Sequence, residues 1–203
     1  YDVFDECRYF EPAHTISPVK FMDYTLGVSI CEDIWNDEEF WTRPLYEIDP
    51  IENLISNGAN IIINISSSPF AVGKHDKIRL RMLTHDAVKY KVPFIYVNQV
   101  GGNDDLVFDG NSTVINAQGK LIAQAAAFEE DLMVVDLENP AVQAQPRVYT
   151  PVETFHKALL VGLRDYVKKC GFKKVVIGLS GGIDSAVTAA LAVQSLGNDN
   201  VVG

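Results

Sequence analysis

Residues 60–65 read NIIINI. A run this apolar and this short is a strand, and one covered on both faces, because a helix buried to the same degree needs about ten residues or more. The pattern recurs. Residues 24–30 (YTLGVSI) and 94–98 (FIYVN) read as strands too. Between them Ile51, Leu54 and Ile55, and then Leu80, Leu83, Ala87 and Tyr90, fall at helical spacing. Shorter strands are expected at 112–116, 120–126 and 132–137, parted by the turns AQGK and FEED. Strands alternating with amphipathic helices, followed by a run of strands, predict a layered α/β sheet. A hydrophobic content of 47% is enough to fill its core.

The pattern changes near residue 138. Residues 138–149 (ENPAVQAQPRVY) hold two prolines and little periodicity, as a linker does. Thr150 then opens a helix: it can cap, Pro151 suits the first helical position, and Glu153 completes a T-x-x-E capping box. The helix is expected to run to Cys170 and stop at Gly171. A strand at 174–179 follows. The organisation expected is therefore a first unit at 1–138, a linker at 139–150 and a second unit at 151–203. Charge divides the same way: 23 Asp/Glu against 10 Lys/Arg up to residue 138, and 4 against 7 beyond it. About fifty residues seldom bury enough surface to stand alone. The start (YDVFDECRYF) has no cap, turn or initiating methionine, and NVVG at the end reads as the opening of another strand, so both ends are expected to be cuts through a longer polypeptide.

Several classes are disfavoured. A net charge of −10 argues against nucleic acid as a partner. No apolar run reaches 18 residues and no signal-peptide pattern is present, so no membrane span is expected and the cytoplasm is the expected setting. Cys7, Cys31 and Cys170 are odd in number and widely spaced, which suits reduced thiols. His14, His75, His85 and His156 show no metal-ligand spacing.

Two stretches carry chemistry. In VVIGLSGGIDSAV (175–187) an apolar strand runs through a glycine turn into a helix. Glycines let backbone N–H groups approach an anion, and the helix N-terminus adds its positive end. Ser180 and Ser185 can donate to phosphate oxygens. Asp184 would repel phosphate alone and makes sense as a Mg²⁺ ligand beside it. The loop lacks the lysine of a Walker A motif. The plainer reading is a glycine turn capped by serines. In LGVSICEDIW (26–35) Cys31 ends a hydrophobic strand, the place where reactive groups collect in α/β sheets. Glu32, Asp33, Asp37, Glu38 and Glu39 surround it in sequence and would disfavour a thiolate. A reactive Cys31 needs a cation or base from elsewhere; taken alone it reads as a buried, inert thiol.

The SGGIDS loop closely resembles the signature of the ATP pyrophosphatase family, and ICEDIW resembles the nucleophile motif of the nitrilase superfamily. YDVFDECRYFEPA, NISSSPFAVGKHDKIR and YVNQVGGNDDLVFDGNS resemble, in that order, the glutaminase domain of glutamine-dependent NAD⁺ synthetases, and VIGLSGGIDSAVTAAL resembles the start of their synthetase domain. The resemblance covers essentially all 203 residues. It implies the C-terminal part of a nitrilase-like αββα sandwich followed by the start of a Rossmann-like ATP-pyrophosphatase domain. It also implies roles. Cys31 would be the glutaminase nucleophile, with the Glu32 backbone N–H at the oxyanion. Tyr1 and Phe4 would line the glutamine pocket, and Ser68 and Lys74 would contact the substrate's amino-acid end. Gly178, Leu179, Ser180, Gly181, Gly182, Ile183, Asp184 and Ser185 would hold the phosphates of ATP, with Mg²⁺ at Asp184. The substrates implied are glutamine, ATP and deamido-NAD⁺. A homo-oligomer and a sheltered ammonia passage are implied as well.

Two departures stand beside this. The Glu and Lys that complete the nitrilase triad match no residue of this sequence, and most of the synthetase body is missing. The 203 residues alone are therefore expected neither to release ammonia from glutamine nor to make NAD⁺. The alternatives are a stand-alone amidase or nitrilase, and an inactive scaffold.

Overall fold

The computed structural model describes residues 8–37, 40, 46–138 and 148–203. Its main sheet has six strands: β1 (Val19–Phe21), β2 (Tyr24–Ile30), β3 (Ile61–Ser66), β4 (Phe94–Asn98), β7 (Thr113–Ile115) and β8 (Leu121–Gln124), side by side in that order. β2, β3 and β4 are parallel, and the outer pairings are antiparallel. The hairpin β5 (Val100–Asn103) and β6 (Leu106–Asp109) stands apart from this sheet.

Helices α1 (Pro50–Ser56) and α2 (Leu80–Tyr90) cover one face. Asp49 caps α1, its Oδ1 accepting from Ile51 N at 2.8 Å, with Pro50 in the first turn where a missing N–H costs nothing. α2 grows out of a π-helical turn at His75–Arg79 and ends at Lys91, which takes the left-handed conformation. The helical spacing read from the sequence buries Ile51, Leu54, Leu83 and Ala87 against Ile62, Phe94 and Tyr96.

The other face is left open by the described residues. Val28, Ile30, Ile65 and Val97 point out from it and are exposed. The expectation that NIIINI is buried on both faces therefore holds fully on its helix side and fades along the other, where Ile61 is buried, Ile63 half-buried and Ile65 exposed. The exposed side is an apolar sheet surface of the kind that a second sheet covers in a sandwich. Residues 132–137, expected as a strand, pair with no strand among the described residues, and Leu132 and Val134 are fully in solvent. Apolar composition alone could not supply them with a neighbour.

Thr150 caps α3 (Pro151–Lys169) as its sequence predicts: the Glu153 N–H donates to Thr150 Oγ1, and the Glu153 carboxylate accepts from Thr150 N. α3 lies on the β5–β6 hairpin. A side chain at Gly102 would meet the Gly162 backbone at 3.1 Å, so anything larger than glycine there would push the helix back by a few tenths of an ångström. Asp165 accepts from Gly102 N at 2.8 Å, and Lys169 donates to Gly102 O at 2.6 Å. Ala127 and Phe128 pack with Ala158 and Val161 beside this clasp. β9 (Val175–Val176) is shorter than the strand expected at 174–179. It pairs in parallel with β10 (Val201–Val202), and α4 (Ile183–Leu196) lies between them in the chain. No helix among the described residues is long and apolar enough to cross a membrane.

Candidate functional site

Cys31 sits at the C-terminal end of β2, where a 3-10 turn (Cys31–Trp35) begins. Its φ is +45°, a left-handed conformation that costs a side-chain-bearing residue about 1–2 kcal/mol. Two neighbours hold the turn. Asp33 Oδ2 accepts from Ile30 N at 2.7 Å, and Asn64 Nδ2 donates to Cys31 O at 3.3 Å. The thiol is half-buried.

The cations that the sequence demanded come from the chain after β3. Lys74 lies with its ammonium 5.2 Å from the Trp35 ring centre and donates to Pro69 O at 3.1 Å. Burial, and then the charge of Arg79, pull its pKa below the ordinary lysine range. Arg79 is fully buried and makes a two-pronged pair with Asp109, at 3.0 and 3.1 Å, while its guanidinium lies over the Tyr96 ring. Burial works against its charge, but Tyr96 and Asp109 hold it ionised. A negative Cys31 attracts both Lys74 and Arg79. The cations whose charge bears on Cys31 are thus remote from it in sequence, and one of them, Arg79, is itself paired with Asp109.

Asp109 gathers more of this floor. Burial alone would raise its pKa, yet Arg79 and Asn111 hold it below the ordinary carboxylate value. His75, beside Arg79, is pushed down to about 4 by burial and by that guanidinium, so it is neutral at neutral pH. Ser68 is buried, and its N–H donates to Asn98 Oδ1 at 2.9 Å. Glu32 is buried in the turn after Cys31. Cys31, Glu32, Ser68 and Lys74 therefore gather at one end of the parallel strands. Tyr1 and Phe4 lie outside the described residues.

Arg79, Asp109, Asn64 and Tyr96 went unnoticed in the sequence. The one available signal was a polar residue within an apolar run, at Asn64. Asp37, His85 and Asp86 also come within 4.8 Å of one another, although no histidine spacing pointed to this. The Lys89 ammonium, 2.9 Å from Asp37 Oδ2, supplies that cluster with a cation.

The glycine loop forms a second, separate feature. Gly182 precedes α4, Gly181 takes φ +83°, and a side chain at Gly178 or Gly181 would meet nothing within 4 Å. Ser180 and Ser185 turn toward each other, their hydroxyls 3.2 Å apart, and Gly182 N donates to Ser180 Oγ at 3.3 Å. Leu179, Ile183 and Asp184 are exposed alongside. The result is an exposed loop at a helix start, its Ser180 and Gly182 N–H groups and both hydroxyls bonded to one another, with one carboxylate at its rim. Such a set suits a polyphosphate with Mg²⁺, which takes few protein ligands and shares the phosphate oxygens.

Comparison with known proteins covers both features. The carbon-nitrogen hydrolase family profile matches residues 2–147, and the NAD synthase profile matches residues 155–203. A glutamine-dependent NAD(+) synthetase from Synechocystis is 47% identical over 208 aligned residues, which take in 100% of this chain and 37% of that protein. The structure of a glutamine-dependent NAD+ synthetase from Acinetobacter baumannii, in complex with ADP, superposes with a TM-score of 0.85 at 37% identity. That match covers 99% of this chain and 37% of the other. A carbon-nitrogen hydrolase from Helicobacter pylori superposes with a TM-score of 0.54 at 25% identity, over 67% of this chain and 48% of its own. The chain thus spans 37% of the length of each of the two synthetases it matches.

Proposed function

Because the chain belongs to the carbon-nitrogen hydrolase family over residues 2–147, we propose that it is the part of a glutamine-dependent NAD⁺ synthetase in which ammonia release meets ATP-driven amidation. The boundary between the two activities falls at 139–150. The observation that carries this reading is that one chain holds both the strained Cys31 turn with its cations and the open Gly178–Ser185 loop.

At the first site the Cys31 thiolate attacks the side-chain amide carbon of glutamine. The C–N bond breaks, ammonia leaves with a proton from the site, and a thioester remains for water to cleave to glutamate. Lys74 and Arg79 favour the thiolate, and the N–H at Glu32 donates to the oxyanion. Ser68 and Lys74 hold the amino-acid end of glutamine, with Tyr1 and Phe4 lining the pocket.

At the second site Ser180, Ser185 and the backbone of Gly178–Ser185 bind and orient the phosphates of ATP. Asp184 fits as a Mg²⁺ ligand, the ion supplying charge neutralisation between phosphates. ATP adenylates the deamido-NAD⁺ carboxylate with loss of pyrophosphate, and ammonia displaces AMP to give NAD⁺. The complete protein is a cytoplasmic homo-oligomer on this reading.

The test is a comparison of nitrogen sources in the complete protein. Cys31→Ser is expected to abolish NAD⁺ formation with glutamine and to preserve it with added ammonium; Asp184→Asn is expected to impair both. Glutamine-driven NAD⁺ formation in Cys31→Ser would refute the proposal. ATP-independent amide hydrolysis with no NAD⁺ formed would mark a stand-alone hydrolase instead.

A further inference from the structure

Asn64 is 1% exposed, on the same face of its strand as the core residue Ile62. An apolar residue there would avoid the desolvation of an amide, so an asparagine needs a reason. Its contacts supply one. Ser29, Asn64 and Tyr96 stand opposite one another across β2, β3 and β4. Asn64 Nδ2 donates to Ser29 Oγ at 3.0 Å and to the Cys31 carbonyl at 3.3 Å, and Ser66 Oγ donates to Asn64 Oδ1 at 2.6 Å. A carbonyl oxygen only accepts, so the amide nitrogen must face Cys31, and the Ser66 hydroxyl, which can donate, then meets the amide oxygen. Both amide hydrogens and the amide oxygen are thereby used, all within a buried row.

The Cys31 carbonyl is the group that the left-handed turn throws to this side of the sheet. Asp33 ties the turn at Ile30 N, before the cysteine, and Asn64 ties it at the carbonyl after it. We propose that Asn64 is a positioning residue for the Cys31 reaction, locking the turn that aims the thiol and the following N–H at the substrate carbonyl. The inference rests on the glutaminase reading above. Asn64 bonds Cys31 at its backbone carbonyl. It acts through the backbone, so its loss should lower turnover and leave glutamine affinity in place.

The experiment uses the complete protein with Asn64→Asp, close in shape but unable to donate when ionised, and Ser66→Ala, which frees the amide without adding charge. Asn64→Asp is expected to lower kcat for ammonia release from glutamine by about tenfold or more, with KM for glutamine within about twofold. Ser66→Ala is expected to give a smaller fall of the same kind. NAD⁺ formation from added ammonium, at a site Asn64 does not touch, serves as the folding control. A wild-type kcat in Asn64→Asp would overturn the inference, as would a loss confined to KM or shared equally by the ammonium-driven reaction. If Asn64→Asp fails to fold, Ser66→Ala decides in the same terms. Failure of the glutaminase reading shows separately, as glutamine-driven activity surviving in Cys31→Ser.

Discussion

Asp109→Asn should destabilise this fold more than its size suggests. Asp109 Oδ2 accepts from Arg79 Nη1 at 3.0 Å and Asn111 Nδ2 at 2.8 Å; Oδ1 accepts from Arg79 Nη2 at 3.1 Å and Asn98 Nδ2 at 3.3 Å. Whichever oxygen becomes an amide nitrogen, a donor then faces two donors. The Arg79 side chain is fully buried, so its charge would also be left uncompensated. Breaking a buried pair from one side costs about 3–5 kcal/mol. At about 2–4 °C per kcal/mol for a chain of this size, that is a fall in Tm of about 6–20 °C. Urea denaturation followed by circular dichroism measures the free energy, and a thermal melt the Tm. Arg79→Met/Asp109→Asn removes both charges and should be more stable than Asp109→Asn alone by at least about 1 kcal/mol. The pH dependence has a defined sign. Asp109 titrates below its ordinary value when folded, so its contribution is complete above about pH 4 and is lost as pH falls. Asp109→Asn should lack that acid-side loss. A single-variant cost below about 1 kcal/mol, or strict additivity in the double variant, would refute the view that Arg79 depends on Asp109.

Two further outcomes follow from the packing. Gly102→Ala places a methyl 3.1 Å from the Gly162 backbone and should loosen α3 from the β5–β6 hairpin at a cost of about 1–3 kcal/mol. Faster hydrogen exchange at the Gly102 amide, which now donates to Asp165, would report it; unchanged exchange and Tm would show that the clasp yields freely. Asp86, pushed up to about 8 by burial and by the charge of Asp37, binds a proton in the folded chain that the unfolded chain has already lost. Wild-type stability should therefore fall as pH rises from about 4 to 8, and Asp86→Asn should flatten that slope and be more stable at pH 8 by at least about 1 kcal/mol. Equal slopes in urea titrations of the two proteins would contradict this.

What the sequence made legible was local. The Thr150–Glu153 box, the α2 stripe and the glycine loop are each encoded within a few residues, and each appears where the sequence put it. Of the cations near Cys31, Lys74 was named through the family resemblance, but Arg79 was not legible, because its place beside Asp109 and Tyr96 is set by the folded sheet. The β5–β6 hairpin was missed for a different reason. VGGNDDLVFD has two glycines and three aspartates, and its pairing is sustained by the α3 clasp rather than by a hydrophobic alternation of its own.

The position of the Cys31 site follows from a gradient along the strands that periodicity does not detect. On the helix-covered face, β3 runs Ile62, Asn64, Ser66 and β4 runs Phe94, Tyr96, Asn98; all six are buried. Burial is constant while polarity rises toward the C-terminal ends. A pattern search registers only that the apolar period fades and reads a strand end. In the folded sheet those same residues form a buried polar floor, and each polar atom there must find a partner or lose stability. Ser29, Asn64, Ser66 and Asn98 find theirs in one another, in the Cys31 carbonyl and in the backbone of Ser68. The demand for partners is thus what ties the strained cysteine to the sheet. Replacing the floor with apolar residues would relieve that demand and release the turn, even if the fold became more stable for it.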